Sequence, residues 1–181
     1  MKKNILVLLF LICSNWLLAG QPKQMKVYAD KTKSTITYSM QHILHSWDGV
    51  SKDVNSIIVT DVKRSEISQV AVSVKVLSFD SKNANRDSHM MEATEAIKYP
   101  TISFSGNSIR QDGDTLQASG TLTFHGVSKP ITIKAEKKII NKKTEITGSF
   151  SIKMTDFDID PPSLMGVATD DDIKLSFDMF Y

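Results

Sequence analysis

The sequence has a single cysteine, few prolines and no glycine-rich or serine-rich run. Cys13 lies within an apolar N-terminal stretch, so the remainder of the chain has no thiol for a disulfide, a thiolate nucleophile or a zinc–thiolate site. No low-complexity segment or composition change marks a boundary between domains. A chain of this length can bury a sufficient core without covalent cross-links, so we expect one domain.

The sequence also lacks a surplus of either charge. It holds 22 Lys and Arg against 20 Asp and Glu, and the first 20 residues contain two of the lysines and no acidic residue. The remainder is therefore electrically balanced. This balance gives no electrostatic reason to expect nucleic acid as a partner, or an anionic membrane surface.

Common enzyme motifs are missing as well. The chain has no Gly-x-Ser-x-Gly, no His-Glu-x-x-His, no phosphate-binding loop and no dinucleotide fingerprint. Ser88 and His89 do not form a dyad, because neighbouring side chains on a helix diverge. Asp87 and His89 could act as an acid–base pair, but only their closeness in sequence suggests it. We therefore predict no enzymatic activity and no cofactor.

A metal site is not expected from the histidines or the acidic residues. His42 and His45 would face opposite sides of a strand, and with His89 and His125 their spacing fits no usual zinc pattern. His125 is expected at the surface. The run Asp156-x-Asp158-x-Asp160 starts like a calcium loop, but Pro161 and Val167 replace the glycine and the glutamate that such a loop requires, which favours a solvated loop.

Residues 1–20 have the composition of a secretory signal peptide. Lys2 and Lys3 precede an unbroken apolar run over residues 5–12, and Leu18-Ala19-Gly20 ends in small residues. We expect cleavage near residue 20, which leaves 21–181 as one domain without a stable membrane span. The mature protein is then predicted to be periplasmic or secreted.

From Val27 onward the dominant pattern is the two-residue alternation of strands, separated by polar turns such as Asp112-Gly113-Asp114. One segment, 87–98, has helical spacing, with Asp87 or Ser88 able to cap its start, and Pro100 ends it. About eight antiparallel strands and one short helix indicate an all-β barrel or a sandwich, which periodicity does not separate. The apolar positions of the alternation are Ile36, Tyr38, Met40, Val72, Val74, Val76, Ile102, Phe104, Leu122, Phe124 and Phe150, then Ile173, Leu175, Phe177 and Met179.

Two motifs extend this interpretation. Phe79-Asp-Ser, then Asn85-Arg-Asp-Ser-His, the helix and Lys98-Tyr-Pro-Thr-Ile-Ser-Phe form the first, and Gly120-Thr-Leu-Thr-Phe-His-Gly-Val-Ser-Lys-Pro forms the second. In this order they resemble the YceI-like family from about Val27 to the C-terminus. The resemblance implies an eight-stranded, antiparallel, lipocalin-like barrel that holds a long isoprenoid chain, with a polyprenyl phosphate or an isoprenoid quinone as ligand.

Two groups of ligand-binding residues follow from the alternation and the resemblance together. The predicted apolar lumen comprises Tyr38, Met40, Val74, Val76, Met90, Met91, Ile97, Phe104, Phe124, Phe150 and Phe177. The predicted polar mouth comprises His42, His45, Trp47, Arg86, Asp87 and His89. The helix is expected to act as a lid through Met90 and Met91.

Alternatives remain open at this point. Side chains can fill an eight-stranded barrel completely, in which case the protein would be a structural or envelope-stress module without cargo. An enzyme acting on an isoprenoid head is a further alternative. A homodimer is also compatible with the sequence.

Overall fold

The computed structural model describes residues 23–62, 66–164 and 166–181, so the predicted signal peptide and Met165 lie outside the described residues. The described chain is almost entirely antiparallel sheet with one α-helix. Its elements are β1 (Gln24–Tyr28), β2 (Thr35–His42), β3 (His45–Ser51), β4 (Val54–Asp61), β5 (Glu66–Lys75), β6 (Phe79–Asp80), α1 (Ala84–Ala93), β7 (Thr101–Asp112), β8 (Thr115–Phe124), β9 (Val127–Ile140), β10 (Lys143–Lys153), β11 (Ser163–Leu164), β12 (Val167–Ala168) and β13 (Asp172–Phe180).

One curled sheet replaces the predicted closed barrel of eight strands. Within the described ranges, eleven strands pair in the order β1-β4-β5-β7-β8-β9-β10-β13-β2-β3-β6. The curl brings distant members of this order together, since the Tyr181 hydroxyl lies 2.6 Å from the hydroxyl of Ser56 on β4. In the part of the chain that the structure describes, β1 and β6 are the edges of the sheet and do not pair with each other, so the fold is a half-barrel and not a sandwich. The strand count exceeded the prediction partly because His45-Ser-Trp-Asp-Gly in β3 lacks an apolar alternation.

Alternation determines which side chains point inward, as predicted. Phe104 and Leu122, paired across β7 and β8, are both buried on the concave side. A β-bulge around Asn107 then shifts the register of pairing. As a result the odd-numbered Ile109 pairs with Ala118, and its side chain packs against the core like those of the even-numbered residues before the bulge. The buried apolar side chains of the large sheet therefore converge on one interior.

Helix α1 starts earlier and ends earlier than its sequence predicted. The Asn83 side chain caps it by accepting the N–H of Arg86 at 3.1 Å, so neither Asp87 nor Ser88 is the N-cap. The helix ends at Ala93, and Glu95 has a positive φ of 43°. Residues 95–99 consequently turn away from the helical path that the apolar spacing had suggested.

The two ends of the half-barrel differ. At the upper end, α1 and the segment 154–171 meet the β2–β3 hairpin, where the N–H of Asp170 donates to the carbonyl of Gln41 at 2.9 Å. The β8–β9 turn joins the same end. At the lower end, Tyr181 and Thr144 exchange backbone hydrogen bonds beside the β9–β10 turn.

None of the helices in the described part of the chain has the length and hydropathy needed to cross a membrane.

Candidate functional site

A long apolar cavity runs through the interior of the curled sheet. Its volume is about 450 Å³, a size typical of small-molecule and lipid sites. Along β8 the lining extends from Leu116 to Phe124, which corresponds to on the order of 26 Å of extended strand. The cavity is therefore elongated, and its shape suits a chain-like ligand better than a compact one.

Most of the predicted lumen residues line this cavity. The structure places Tyr38, Met40, Val74, Val76, Met90, Phe104, Phe124, Phe150 and Phe177 on its wall. The inward direction of the alternation is thus confirmed for these strands. That these side chains contact a ligand stays a prediction.

Two predicted lumen residues lie elsewhere. Ile97 is 97% exposed, because the chain turns after Ala93 and carries Ala96 inward instead. The prediction for Ile97 was wrong. Met91 packs against the core but does not line the cavity, since it follows Met90 by about 100° of helical rotation.

Two aromatic rings and a guanidinium pack against one another at the cavity's upper end. The His45 ring lies 5.2 Å from that of Trp47, and the guanidinium carbon of Arg86 lies 5.1 Å from the centroid of the Trp47 ring. The β2–β3 hairpin supplies the two rings, and α1 supplies the cation. This cation–π contact holds α1 across the upper end of the cavity. His89 also lines the wall here, as do Asn83 and Asn85.

His42 lines the cavity, but its ring nitrogens bond to backbone groups. Nδ1 accepts the N–H of Leu44 at 3.3 Å, and Nε2 lies 3.2 Å from the carbonyl of Val167. Because the first partner is a donor and the second an acceptor, these contacts fit the tautomer with hydrogen on Nε2. His42 therefore ties the β2–β3 hairpin to β12 and has no ring nitrogen left for a ligand.

Asp87 does not line the cavity, which corrects its place in the predicted mouth. Its carboxylate accepts the N–H of Ser81 at 3.1 Å and 3.4 Å through its two oxygens. The side chain fastens the start of α1 to the end of β6. Its role among the described residues is structural.

Two hydroxyls on the cavity wall are sealed from solvent without a hydrogen-bond partner, the phenol of Tyr38 and the Oγ1 of Thr169. Burial, together with the charge of Asp87, raises the pKa of the Tyr38 hydroxyl. The alternation of β2 predicted Tyr38. No signal in the stretch around Thr169 predicted an inward side chain, because that stretch consists of a short hairpin followed by three aspartates.

His125 is mostly buried and not at the surface as predicted. Nδ1 lies 2.9 Å from the carbonyl of Phe157, and Nε2 lies 3.1 Å from a carboxylate oxygen of Glu95. The Tyr99 ring packs edge-on against it at 4.7 Å. One side chain thus joins the β8–β9 turn to the segment after α1 and to the segment 154–171, which closes the upper end beside the cavity.

The segment 154–171 adds apolar side chains to this closure. Met154, Phe157 and Ile159 are buried, while Asp156 and Asp158 are exposed, as the predicted solvated loop required. The Phe157 ring contacts that of Phe124 at 5.7 Å. In the described part of the chain no three His, Cys, Asp or Glu side chains converge as a metal site would need.

Comparison with known proteins identifies similar chains. A family profile described as the YceI-like domain matches residues 28–180. The curated protein YceI of Escherichia coli is 32% identical over 172 residues, an alignment that covers 88% of each chain.

Solved structures share the architecture. BcnA of Burkholderia cenocepacia superposes with a TM-score of 0.76 at 17% identity, covering 84% of this chain and 99% of the other. A domain from Saccharophagus degradans, described as polyisoprenoid binding and implicated in plant cell wall breakdown, superposes with a TM-score of 0.65 at 13% identity, covering 85% and 97%. At these identities the two superpositions establish the fold.

Proposed function

The chain belongs to the YceI-like family, and from that premise we propose that it binds and carries a long isoprenoid lipid in the cavity of its half-barrel. The single observation that carries the proposal is the elongated apolar cavity whose charged and histidine side chains lie at its upper end. A structural neighbour described as polyisoprenoid binding supports the same class of ligand.

The energetics of this cavity suit a hydrocarbon chain. Each buried CH₂ group contributes roughly 0.8 kcal/mol, so a long tail binds tightly without any hydrogen bond. Such binding discriminates weakly between chain lengths, because each additional group adds a similar increment. Selectivity then depends on the polar groups at the upper end.

We propose that this carriage takes place outside the cytoplasm, since residues 1–20 have the composition of a cleaved signal peptide. The intact mass of the protein recovered from its own cell envelope or culture medium tests this. A mass that begins near residue 21 supports export, and retention of the leader contradicts it.

The first test of the binding function is native mass spectrometry of the protein purified from its own envelope, followed by organic extraction. We expect a bound species that extracts as an isoprenoid. A protein that is empty and also rejects added polyprenols would contradict the carrier function and favour a module without cargo.

A matched pair of variants sharpens this test. Ala118 lines the cavity, while its neighbour Gln117 on β8 does not. Ala118→Phe should abolish lipid occupancy by filling the cavity, and Gln117→Phe should leave occupancy unchanged. Circular dichroism melting of both variants shows whether the fold is kept. Equal occupancy in a folded Ala118→Phe protein would contradict the proposed site.

A further inference from the structure

The β9–β10 hairpin projects beyond the rest of the sheet at the lower end. On the β8 side, the last backbone bond that the structure describes joins Lys137 to Asp114, and on the β13 side it joins Thr144 to Tyr181. Residues 138–143, here called the hairpin tip, extend past both neighbouring strands. From Lys137 to its turn, the tip reaches on the order of 13 Å. It is therefore a two-stranded ribbon that stands clear of the sheet.

The turn of the hairpin tip gives the ribbon a defined backbone. Asn141 and Lys142 have φ angles of 51° and 65°, and a type I′ turn requires positive values at both of its central residues. Ile140 pairs with Lys143 directly beside this turn. The side chains of the tip are thus presented on a regular hairpin.

Two isoleucines lie on opposite faces of this ribbon. Ile139 is 72% exposed, and Ile140 is 50% exposed. Because successive side chains of a strand point to opposite faces, a protein surface that lies against one face covers only one of the two. Immersion of the tip in an apolar medium covers both at once. The arrangement favours a lipid bilayer over a protein as the occupant.

The charge of the hairpin complements an anionic surface. The segment 137–143 is Lys-Lys-Ile-Ile-Asn-Lys-Lys, and three of its four lysines are exposed. Lys138 lies 3.9 Å from Glu136 and Lys143 lies 3.8 Å from Asp30, yet their side chains remain 60% and 58% exposed. Since such loose pairs at the surface contribute little, these lysines are available to lipid phosphates. The overall balance of charge in the chain conceals this local surplus.

The acidic residues nearest to the tip stand at its base. Glu145 pairs with Lys138 at the start of the ribbon, and Asp114 bonds through its carbonyl to the N–H of Lys137. The segment 139–143 beyond them holds two lysines and no acidic residue. Positive charge therefore leads and negative charge follows when the tip approaches a surface.

We propose that the hairpin tip docks the protein on an anionic phospholipid bilayer. Ile139 and Ile140 enter the boundary between head groups and acyl chains, and Lys138, Lys142 and Lys143 meet the lipid phosphates. The reach of the tip is sufficient for the roughly 5–10 Å to which interfacial segments are buried. Because the tip lies at the opposite end from α1, the docked protein turns the upper end of its cavity away from the bilayer. This docking goes beyond the proposed function and does not depend on its cargo.

Sedimentation with vesicles tests the docking. The mature protein is mixed with vesicles of phosphatidylcholine alone, or of equal parts phosphatidylcholine and phosphatidylglycerol. We expect binding to the anionic vesicles, much weaker binding to the neutral ones, and a marked reduction by added salt. Folded wild-type protein that stays in the supernatant with the anionic vesicles would overturn the proposal.

Two sets of substitutions separate the apolar and the charged contributions. Ile139→Ser combined with Ile140→Ser should weaken binding to the anionic vesicles about 10-fold or more, because the immersed apolar surface is lost. Lys138→Gln, Lys142→Gln and Lys143→Gln together should weaken it by a similar factor. Circular dichroism melting shows whether each variant keeps its fold. A loss in the lysine variant alone would indicate a site for any polyanion and overturn the bilayer as the occupant.

The other end of the molecule supplies matched controls. Ile43→Ser with Leu44→Ser removes two aliphatic side chains that are 79% and 67% exposed at the β2–β3 turn. Lys75→Gln, Lys82→Gln and Lys98→Gln, at exposed positions before and after α1, remove the same charge as the lysine variant of the tip. Both controls should bind the vesicles like the wild type. Losses equal to those of the tip variants would overturn the assignment to the tip.

Single cysteines measure the immersion of each face. Cys13 is the sole cysteine of the sequence and falls in the predicted signal peptide, so Ile139→Cys and Ile140→Cys each offer one site for an environment-sensitive fluorophore. Both labels should shift to shorter emission wavelengths on anionic vesicles, whereas a label at Leu44→Cys should not. A shift at only one face of the tip would overturn immersion.

Failure of this docking is distinguishable from failure of the proposed carrier function, because none of these measurements uses the cargo. A protein that docks but is empty and rejects polyprenols would support the docking and contradict the carrier function. A lipid-loaded protein that does not bind anionic vesicles would overturn the docking alone.

Discussion

Asp178 on β13 has a carboxylate oxygen that is buried and lacks a hydrogen-bond partner. Burial first, and the negative charge of Glu145 second, raise the pKa of this carboxyl above its ordinary value of 3.8. A carboxyl with a raised folded-state pKa stabilises the fold fully below the unfolded pKa. That contribution is lost as the pH rises through the folded pKa, so at pH 7 the charge is unfavourable.

Asp178→Asn should therefore stabilise the protein at pH 7 by about 0.5 kcal/mol, a modest gain because solvent screens most of the site. Urea unfolding at pH 7 and pH 3 measures it, and the gain should largely vanish at pH 3. Asp160→Asn, at an exposed position, is the control and should have little effect. Stabilisation that persists unchanged at pH 3 would contradict the electrostatic cause.

Gly49 on β3 allows the Tyr38 ring to lie directly over the strand. A Cβ at Gly49 would come within 2.2 Å of Cε1 of Tyr38 and within 2.5 Å of its Cζ. Gly49→Ala should cost about 1–3 kcal/mol of unfolding free energy, because the ring has to leave its position. Urea denaturation measures the cost.

A double-mutant cycle provides the control for Gly49. Tyr38→Leu removes the ring atoms that meet the new methyl group, so Gly49→Ala should cost much less in that background. If the two effects are strictly additive, the glycine is needed for the backbone conformation and not to make room for the Tyr38 ring.

At the scale of single residues, the sequence predicted which way a side chain points but not which groups it contacts. Two-residue periodicity indicated that Tyr38 faces inward, because the pleat of a strand determines direction. It could not indicate that His42 bonds to Val167, a residue distant in the chain, or that Thr169 joins the wall. Such contacts depend on how remote segments meet at the upper end.

Helix α1 lies over the interior without being part of the sheet. Among the described residues it buries no side chain completely, and the cation–π contact of Arg86 with Trp47 and the bonds of Asp87 to Ser81 hold it in place. A helix of this length is marginal in isolation. Its attachment through a few contacts is what a movable cover over the cavity requires.

Met90→Asp tests whether α1 acts as this cover. Because Met90 lines the cavity and is only partly buried, a carboxylate there should reduce lipid occupancy severely and lower stability by about 1 kcal/mol at most. Native mass spectrometry gives the occupancy and urea unfolding gives the stability. Ser88→Asp, exposed on the same helix, should change neither. Parallel losses of occupancy and stability would contradict a lid.

At the scale of elements, the sequence predicted one helix between strands but misplaced both of its ends. Apolar spacing suggested that the helix extends to Lys98, yet Glu95 adopts a positive φ and turns the chain. The cap at Asn83 replaced two equally suitable residues, Asp87 and Ser88. Short polar side chains compete as caps, and which one succeeds depends on where the preceding strand ends.

At the scale of the whole molecule, the sequence indicated the class of fold, because no helices were available to cover a sheet and the sheet had to cover itself. The sequence could not distinguish a barrel whose first and last strands are hydrogen-bonded to each other from a curled sheet with unpaired edges. The answer depends on the small strands β1 and β6, which are too short for a periodic signal. The tie from Tyr181 to Ser56 across the curl is equally invisible in the sequence.

That tie bears on how the proposed cargo would be exchanged. The Tyr181 hydroxyl lies within hydrogen-bond distance of that of Ser56, and burial raises its pKa to about 12, so this hydroxyl stays un-ionised at physiological pH. The polar side chains of the cavity's upper end lie at the other end of β13 from this tie, where α1 and the β2–β3 hairpin meet. For the isoprenoid carrier proposed above, the tail would point toward this tie and the head toward α1. The head would then be the first part of the proposed cargo to reach an acceptor, so we expect delivery to pass through a state in which donor and receiver hold the lipid together.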